Sequence, residues 1–254
     1  MIKAEEEMNK VRMILLGALA VSSVARADEV NVAVAANFAE PIKEIAKQFQ
    51  QTTGHRLVIS TGATGKFYAQ IKNGAPFDVL LAADQETPTK LEQEGNAVAG
   101  TRFTYAVGEL VLWSAQPNVV DSNGAVLRGQ SFAHLAMANP KLAPYGRAAQ
   151  QTLERMGLME QVRPKLVTGE NIGQTYQFVY TGNAQLGFVA RSQVQSDRGI
   201  SGSYWLIPKN MYSPIIQQAI ILNHGKDNAG AKQLMQHLKT PAAKNIIRRY
   251  GYGV

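Results

Sequence analysis

Apolar and polar positions along this chain switch between two rhythms. Val30-Asn31-Val32-Ala33-Val34-Ala35 is a β-rich run, and after it Phe38, Ile42, Ile45, Ala46 and Phe49 recur at helical spacing up to Thr52-Thr53-Gly54. Asn37, with Glu40 three residues on, reads as a helix N-cap with a capping box, and Pro41 falls in the first turn. A second unit has a strand over 56–60, the loop Thr61-Gly62-Ala63-Thr64-Gly65 and a helix over 66–72 that ends at Asn73-Gly74. A buried-looking third strand over 77–82 precedes a helix around 87–94. Such alternation predicts an α/β fold, with a mainly parallel sheet wrapped by helices.

The rhythm then repeats. One long strand is expected over 105–114, ended by Gln116-Pro117-Asn118, and further strands over 134–138, 165–167 and 185–190. Helices are expected over 145–156, closed by Gly157, and over 172–180, with loops at 139–144 and 168–171. Late strands over 204–207 and 217–222 precede a largely helical stretch over 229–250, and no repeat at a fixed period is visible. The late strands would return the chain to its first half. The expectation is therefore two lobes, each a mixed sheet flanked by helices, joined by two hinge crossings. Lobe I takes 28–107 and 224–254, and lobe II takes 108–223.

One kind of junction recurs. At Asn37, Thr64, Tyr145 and Ile172 a strand ends in a short loop of small residues and a helix begins. In open α/β sheets ligands collect beyond the carboxyl ends of the strands, where helix N-termini point. A helix start presents unpaired N–H donors and about half a positive charge, enough to hold an anion without a basic side chain. Ordinary βα turns share this form, so the pattern alone leaves both readings open. The small residues favour close approach of backbone to a ligand.

Composition narrows the class. At 45% hydrophobic and 18% charged, the chain can bury a core and is neither disordered nor a multi-span membrane protein. It has no cysteine, which removes disulfides, thiolate metal sites and cysteine nucleophiles, and its four histidines show no metal-ligand spacing. The net charge of +7 comes from scattered residues, with Arg248-Arg249 side by side, so no nucleic-acid site is expected. At the start, Asn9-Lys10-Val11-Arg12 precedes an apolar run over 13–21, and Val24-Ala25-Arg26-Ala27 ends in small residues. This reads as a secretory signal peptide ending at Ala27, with Met8 as the working start and 1–7 an over-long start or added sequence. The run is shorter than the about 20 residues a membrane span needs. A soluble product exported to a Gram-negative periplasm is expected.

Other chemistry is weaker. Gly62-Ala63-Thr64-Gly65-Lys66-Phe67 lacks phosphate-loop spacing, and Phe67 stands where a hydroxyl belongs. There is no G-x-S-x-G elbow, and no Ser, His and Asp set can be assembled. Asp78 reads as structural and Asp84 as a cap or turn residue. Phe67, Tyr68 and Tyr176-Gln177-Phe178 read as core, and Trp113 and Trp205 as packed strand residues.

Residues 28–254 resemble a known family throughout. Val34-Ala35-Ala36-Asn37-Phe38, Thr61-Gly62-Ala63-Thr64-Gly65-Lys66-Phe67-Tyr68-Ala69-Gln70-Ile71, Asn73-Gly74-Ala75-Pro76-Phe77-Asp78 and Ala82-Ala83-Asp84 are similar to the periplasmic molybdate-binding proteins (ModA family) of ABC transporters. Ala138-Asn139-Pro140, Ala143-Pro144-Tyr145-Gly146, Glu170-Asn171-Ile172, Gln185-Leu186-Gly187-Phe188-Val189 and Arg249-Tyr250-Gly251 continue the match. The resemblance implies a two-lobed, hinged type II binding protein that closes on a tetrahedral oxyanion, molybdate or tungstate. It further implies no enzymatic activity, no cofactor, a monomer, and service to a membrane permease. The implied ligand residues are Asn37 and Thr64 in lobe I, each with a backbone N–H and a side-chain donor. Tyr145 and Ile172 in lobe II would contribute backbone N–H alone. Some members add a Tyr hydroxyl where this chain has Ala190, and the Asn37 side chain would compensate. Ala36 and Ala63 are adjacent and would add backbone contacts. The competing readings are a receptor for another anion such as sulfate or phosphate, and an exported hydrolase using Asp84 or Thr64.

Overall fold

Two five-stranded sheets organise the chain, and a computed structural model describes residues 28–196 and 199–254. The expected signal peptide and its cleavage point after Ala27 lie outside the described residues. The first sheet runs β2 (Arg56–Gly62), β1 (Glu29–Ala35), β3 (Val79–Leu81), β12 (Ile215–Ile221), β4 (Phe103–Gly108). β1 is parallel to both neighbours, and β12 is antiparallel to both of its own. The second sheet runs β11 (Ser203–Leu206), β5 (Leu110–Ser114), β8 (Leu186–Ala190), β6 (Leu135–Ala138), β7 (Leu166–Gly169). There β6 is parallel to β7 and β8, while β5 is antiparallel to β8 and β11. A small hairpin pairs β9 (Gln195–Ser196) with β10 (Gly199–Ile200). Each sheet therefore has a parallel trio in the spatial order second, first, third, extended by antiparallel strands.

The longer helices are α1 (Ala39–Thr53), α2 (Thr64–Lys72), α3 (Glu86–Gln93), α4 (Pro144–Arg155), α5 (Ile172–Tyr180), α6 (Ala229–His237) and α7 (Pro241–Arg249). The periodicity of α1 buries Ile42, Ile45 and Phe49 with Phe38 against the valines of β1. Each such side chain contributes about 1.5–3 kcal/mol by leaving water. Gly54 ends α1 in the left-handed region at φ 77°, and its N–H donates to Gln50 O at 2.9 Å. The expected helix over 229–250 is two helices. Thr240 caps the second, accepting from Ala243 N at 3.3 Å, and Pro241 cannot continue the first.

Two expectations about the crossings are corrected. The stretch 105–114 is not one strand: it breaks at Glu109, and its halves join different sheets. A Cβ at Gly108 would overlap the Tyr145 hydroxyl, so the chain passes this point only without a side chain. The return crossing lies between β11 and β12 rather than at 223/224, because β12 inserts between β3 and β4. Residues 215–223 therefore belong with lobe I. Except for the half-buried Ile216, every residue of β12 is buried, which suits a central strand covered on both sides. The crossings lie side by side: Glu109 carboxylate oxygens meet Arg191 Nη1 at 2.7 Å and Lys209 Nζ at 3.2 Å, and Leu110 N–H donates to Tyr212 Oη at 3.2 Å.

Candidate functional site

In both lobes the first and second strands of the parallel trio lead into helices that start at the same cleft. β1 passes through the 3-10 turn Ala36–Phe38 into α1, and β2 enters α2 through Ala63. β6 reaches α4 through the loop 139–143, and β7 reaches α5 through Glu170-Asn171. Ala35, Ala83, Ala143, Tyr145 and Ile172 pack in one core cluster that crosses the lobes. Gly65 N–H donates to Leu142 O at 2.9 Å across the cleft, and a Cβ on Gly173 would stand 3.3 Å from Ala36 Cβ. Asn37, Thr64, Tyr145 and Ile172 are thus brought together, each no more than 3% exposed. The lobes are closed on one another.

Each of these four residues stands in the first turn of a helix, where an N–H has no partner four residues back. None of the four N–H groups has a backbone acceptor among the described residues. Pro144 precedes Tyr145 and has no N–H, so Tyr145 is the first donor of α4. In α5, Asn171 Oδ1 takes Gln174 N–H at 3.0 Å, capping the helix that Ile172 begins. Thr64 Oγ1 accepts from Ala83 N at 3.0 Å, so the hydroxyl is held in place with its own proton free to donate. The nearby acids are engaged elsewhere. Glu170 pairs with Lys66 at 2.6 Å, and Asp84 takes Thr87 N–H at 3.0 Å and Arg147 at 3.1 Å. Burial raises the Asp84 pKa above the usual carboxylate value, against the lowering pull of Thr87 and Arg147. First-turn N–H groups of this kind, with the acids engaged elsewhere, have the chemistry that suits an anion.

The Asn37 side chain departs from expectation. It caps no helix, because Asn37 lies inside the 3-10 turn. Its Nδ2 donates to Gln217 Oε1 at 2.8 Å and Tyr252 Oη at 2.9 Å, and its Oδ1 is buried without a partner. Both amide protons are spent inside lobe I, so here Asn37 offers the cleft its backbone N–H alone. Ala190 heads the short turn Arg191–Val194 and gives its N–H to Gln193 Oε1 at 2.9 Å. Gln193 Nε2 in turn donates to Ile172 O at 2.9 Å, bracing the junction that carries Ile172. Ala63 is the extended residue before α2, and Ala36 is half-buried against lobe II.

Sequence reasoning missed the polar cluster behind the site. Tyr105 Oη donates to Gln217 Oε1 at 3.0 Å, and Gln217 Nε2 donates to Tyr145 Oη at 3.1 Å. Ser192 Oγ donates to Asn37 O at 2.8 Å, with Tyr252 Oη 2.9 Å from that hydroxyl. Burial pushes the Tyr105, Tyr145 and Tyr252 hydroxyls up, so all three stay neutral. The signal was the pair Gln217-Gln218 inside an otherwise apolar strand, since a buried amide must find partners. The ladder between β12 and β4 shifts register there, and Tyr105 falls in the irregularity. Of the remaining candidates, Asp78 is structural: it accepts from Asn31 N at 2.7 Å and meets His224 Nδ1 at 2.8 Å. Phe67, Trp113 and Trp205 are buried.

Two sheet-based lobes joined by two crossings and packed against one another are the architecture of a hinged solute receptor. The chain belongs to the bacterial extracellular solute-binding proteins, which it matches over residues 30–253, and among them to the ModA family. It is 56% identical over 243 residues to "Molybdate-binding protein ModA" of Azotobacter vinelandii, covering 95% of this chain and 96% of that one. The protein of the same name from Rhodobacter capsulatus is 52% identical, covering 90% and 89%. The solved Azotobacter vinelandii periplasmic molybdate-binding protein superposes with a TM-score of 0.86 at 44% identity, covering 89% of this chain and 99% of that one. Like these relatives, the chain is a binding protein and not an enzyme.

Proposed function

We propose that this protein captures molybdate or tungstate between its lobes in the periplasm and delivers it, as a monomer, to the permease of an ABC transporter. One observation supports the reading: Asn37, Thr64, Tyr145 and Ile172 are buried near the contact between the lobes, and none of their N–H groups has a backbone acceptor among the described residues. A dry pocket of donors suits a fully deprotonated dianion. Hydrogen phosphate would bury an O–H with no acceptor, at a cost of about 1–3 kcal/mol. Sulfate has the same charge but shorter bonds, so it is rejected by size: donors set for a larger tetrahedron cannot all reach it at about 2.9 Å. The ligand holds the lobes together, and the closed form is the state that the permease recognises. The metal of the oxyanion touches no protein atom in this scheme; its oxygens do. No bond of the ligand changes.

Calorimetric titration of the chain from residue 28 with molybdate, tungstate, sulfate and phosphate at one salt concentration tests this. One-to-one binding of the first two, with the others silent, is the expected result. Silence from both would overturn the reading, and binding led by sulfate would transfer it to that anion. N-terminal sequencing of the exported protein checks the cleavage after Ala27, and light scattering checks the monomer.

A further inference from the structure

We infer that Gln217 is a positioning residue that couples the two halves of the anion site, holding the lobe I junction at Asn37 to the lobe II junction at Tyr145. This rests on the assignment of those two residues to the site. Gln217 is fully buried on β12, the strand that re-enters lobe I directly after the second crossing. Its Oε1 accepts from Asn37 Nδ2 at 2.8 Å and from Tyr105 Oη at 3.0 Å, while its Nε2 donates to Tyr145 Oη at 3.1 Å. An amide accepts at one end and donates at the other, so one uncharged side chain joins a donor in lobe I to a hydroxyl in lobe II. The space is tight, because a Cβ on Gly108 would lie 2.6 Å from Gln217 Nε2.

A second link runs beside the first, through Ser192 Oγ to Asn37 O at 2.8 Å. Swinging lobe II away would take the Tyr145 hydroxyl from Gln217 and Ser192 from Asn37 together. Both losses strip hydrogen bonds from buried polar groups, which must then find new partners. Closure is therefore favoured as a single step. It sets the Asn37 backbone and the Tyr145 backbone in their anion-facing places at once. The amide and the hydroxyls act behind the donors and need not touch the ligand.

The test compares Gln217→Leu, Tyr145→Phe and the double variant with the unaltered protein. Tyr145→Phe keeps the backbone N–H and removes only the hydroxyl. Dissociation of molybdate is followed by stopped flow, and the lobe-to-lobe distance by pulsed EPR between spin labels at Gln51→Cys and Arg155→Cys, both exposed in a cysteine-free chain. Tyr145→Phe, which removes one buried hydrogen bond, is expected to speed dissociation about tenfold, Gln217→Leu, which removes three, at least as much, and both to move the ligand-free distances toward an open form. The double variant should add little to Gln217→Leu, since the Tyr145 hydroxyl acts through Gln217. Additive effects, or a lower thermal midpoint with unchanged dissociation and distances, would overturn the coupling and leave Gln217 a packing residue. Should Gln217→Leu fail to fold, Tyr145→Phe alone decides between these results. Failure of the unaltered protein to bind molybdate would refute the anion assignment, while the ligand-free distances still judge the coupling.

Discussion

In the proposed site, one hydroxyl, that of Thr64, would serve fold and ligand together. Its oxygen accepts the Ala83 N–H at 3.0 Å, which ties the start of α2 to the segment after β3, and under the proposed function its proton goes to the anion. Thr64→Val keeps the shape and the backbone N–H but removes that donor. Molybdate affinity measured by calorimetry should fall roughly 10- to 100-fold, the effect of losing one hydrogen bond to a charged group. Thr64→Ser should stay within a few-fold of the parent. Unchanged affinity in the valine variant would mean that the hydroxyl does not reach the ligand. Asn37 gives the contrasting case: the type of residue at the site was readable, but the direction of its side chain was not. Its amide turns to Gln217, 180 positions away, and nothing local to Asn37 announces that partner.

At the scale of elements, the cleft closes on backbone rather than on long side chains. The start of α2 meets the loop before α4 through Gly65 N–H and Leu142 O, and a Cβ at Gly65 would sit 3.1 Å from both Leu142 Cα and its carbonyl oxygen. That neighbour is backbone and cannot swing aside. Gly65→Ala should therefore weaken molybdate binding by at least tenfold. The same change should raise the thermal midpoint of the open, ligand-free protein slightly, because alanine restricts the unfolded chain more than glycine, worth about 0.4–1 kcal/mol. Opposite signs in calorimetry and thermal melting are the signature of a contact made only on closure; equal losses in both would argue against it. The cross-cleft ion pairs matter less. Lys66 with Glu170 and Arg147 with Glu86 keep side-chain exposures of 43%, 64%, 45% and 73%, and such exposed pairs contribute about 0–1 kcal/mol each.

For the whole molecule, the buried tyrosines at the junction of the lobes link folding to alkaline pH. Burial raises the folded-state pKa of Tyr105, Tyr145 and Tyr252 above that of the unfolded chain, so the folded form holds its phenolic protons more tightly. Their contribution is fully present below about pH 10, the unfolded tyrosine value, and is lost as pH rises beyond it. The thermal midpoint should fall steadily above that pH, and with Tyr145→Phe the fall should be shallower. A midpoint that stays level across that range would show that these hydroxyls ionise freely and do not form a dry network.

Much of this architecture could be read from local pattern. Phe38, Ile42, Ile45 and Phe49 at helical spacing, Gly54 after them, and small residues at the ends of β1, β2, β6 and β7 specify strands, helices and four helix starts, because periodicity and turn chemistry act within a few residues. The matching order of the two parallel trios left no repeat in the sequence, since many apolar residues fill equivalent strand positions equally well. Packing settled the rest. The apolar run 215–221 would suit either sheet, and its insertion between β3 and β4 set the return crossing. The same insertion carried Gln217 to Asn37, Tyr105 and Tyr145, a meeting of residues far apart along the chain that exists only because a buried amide must be satisfied where the two lobes meet.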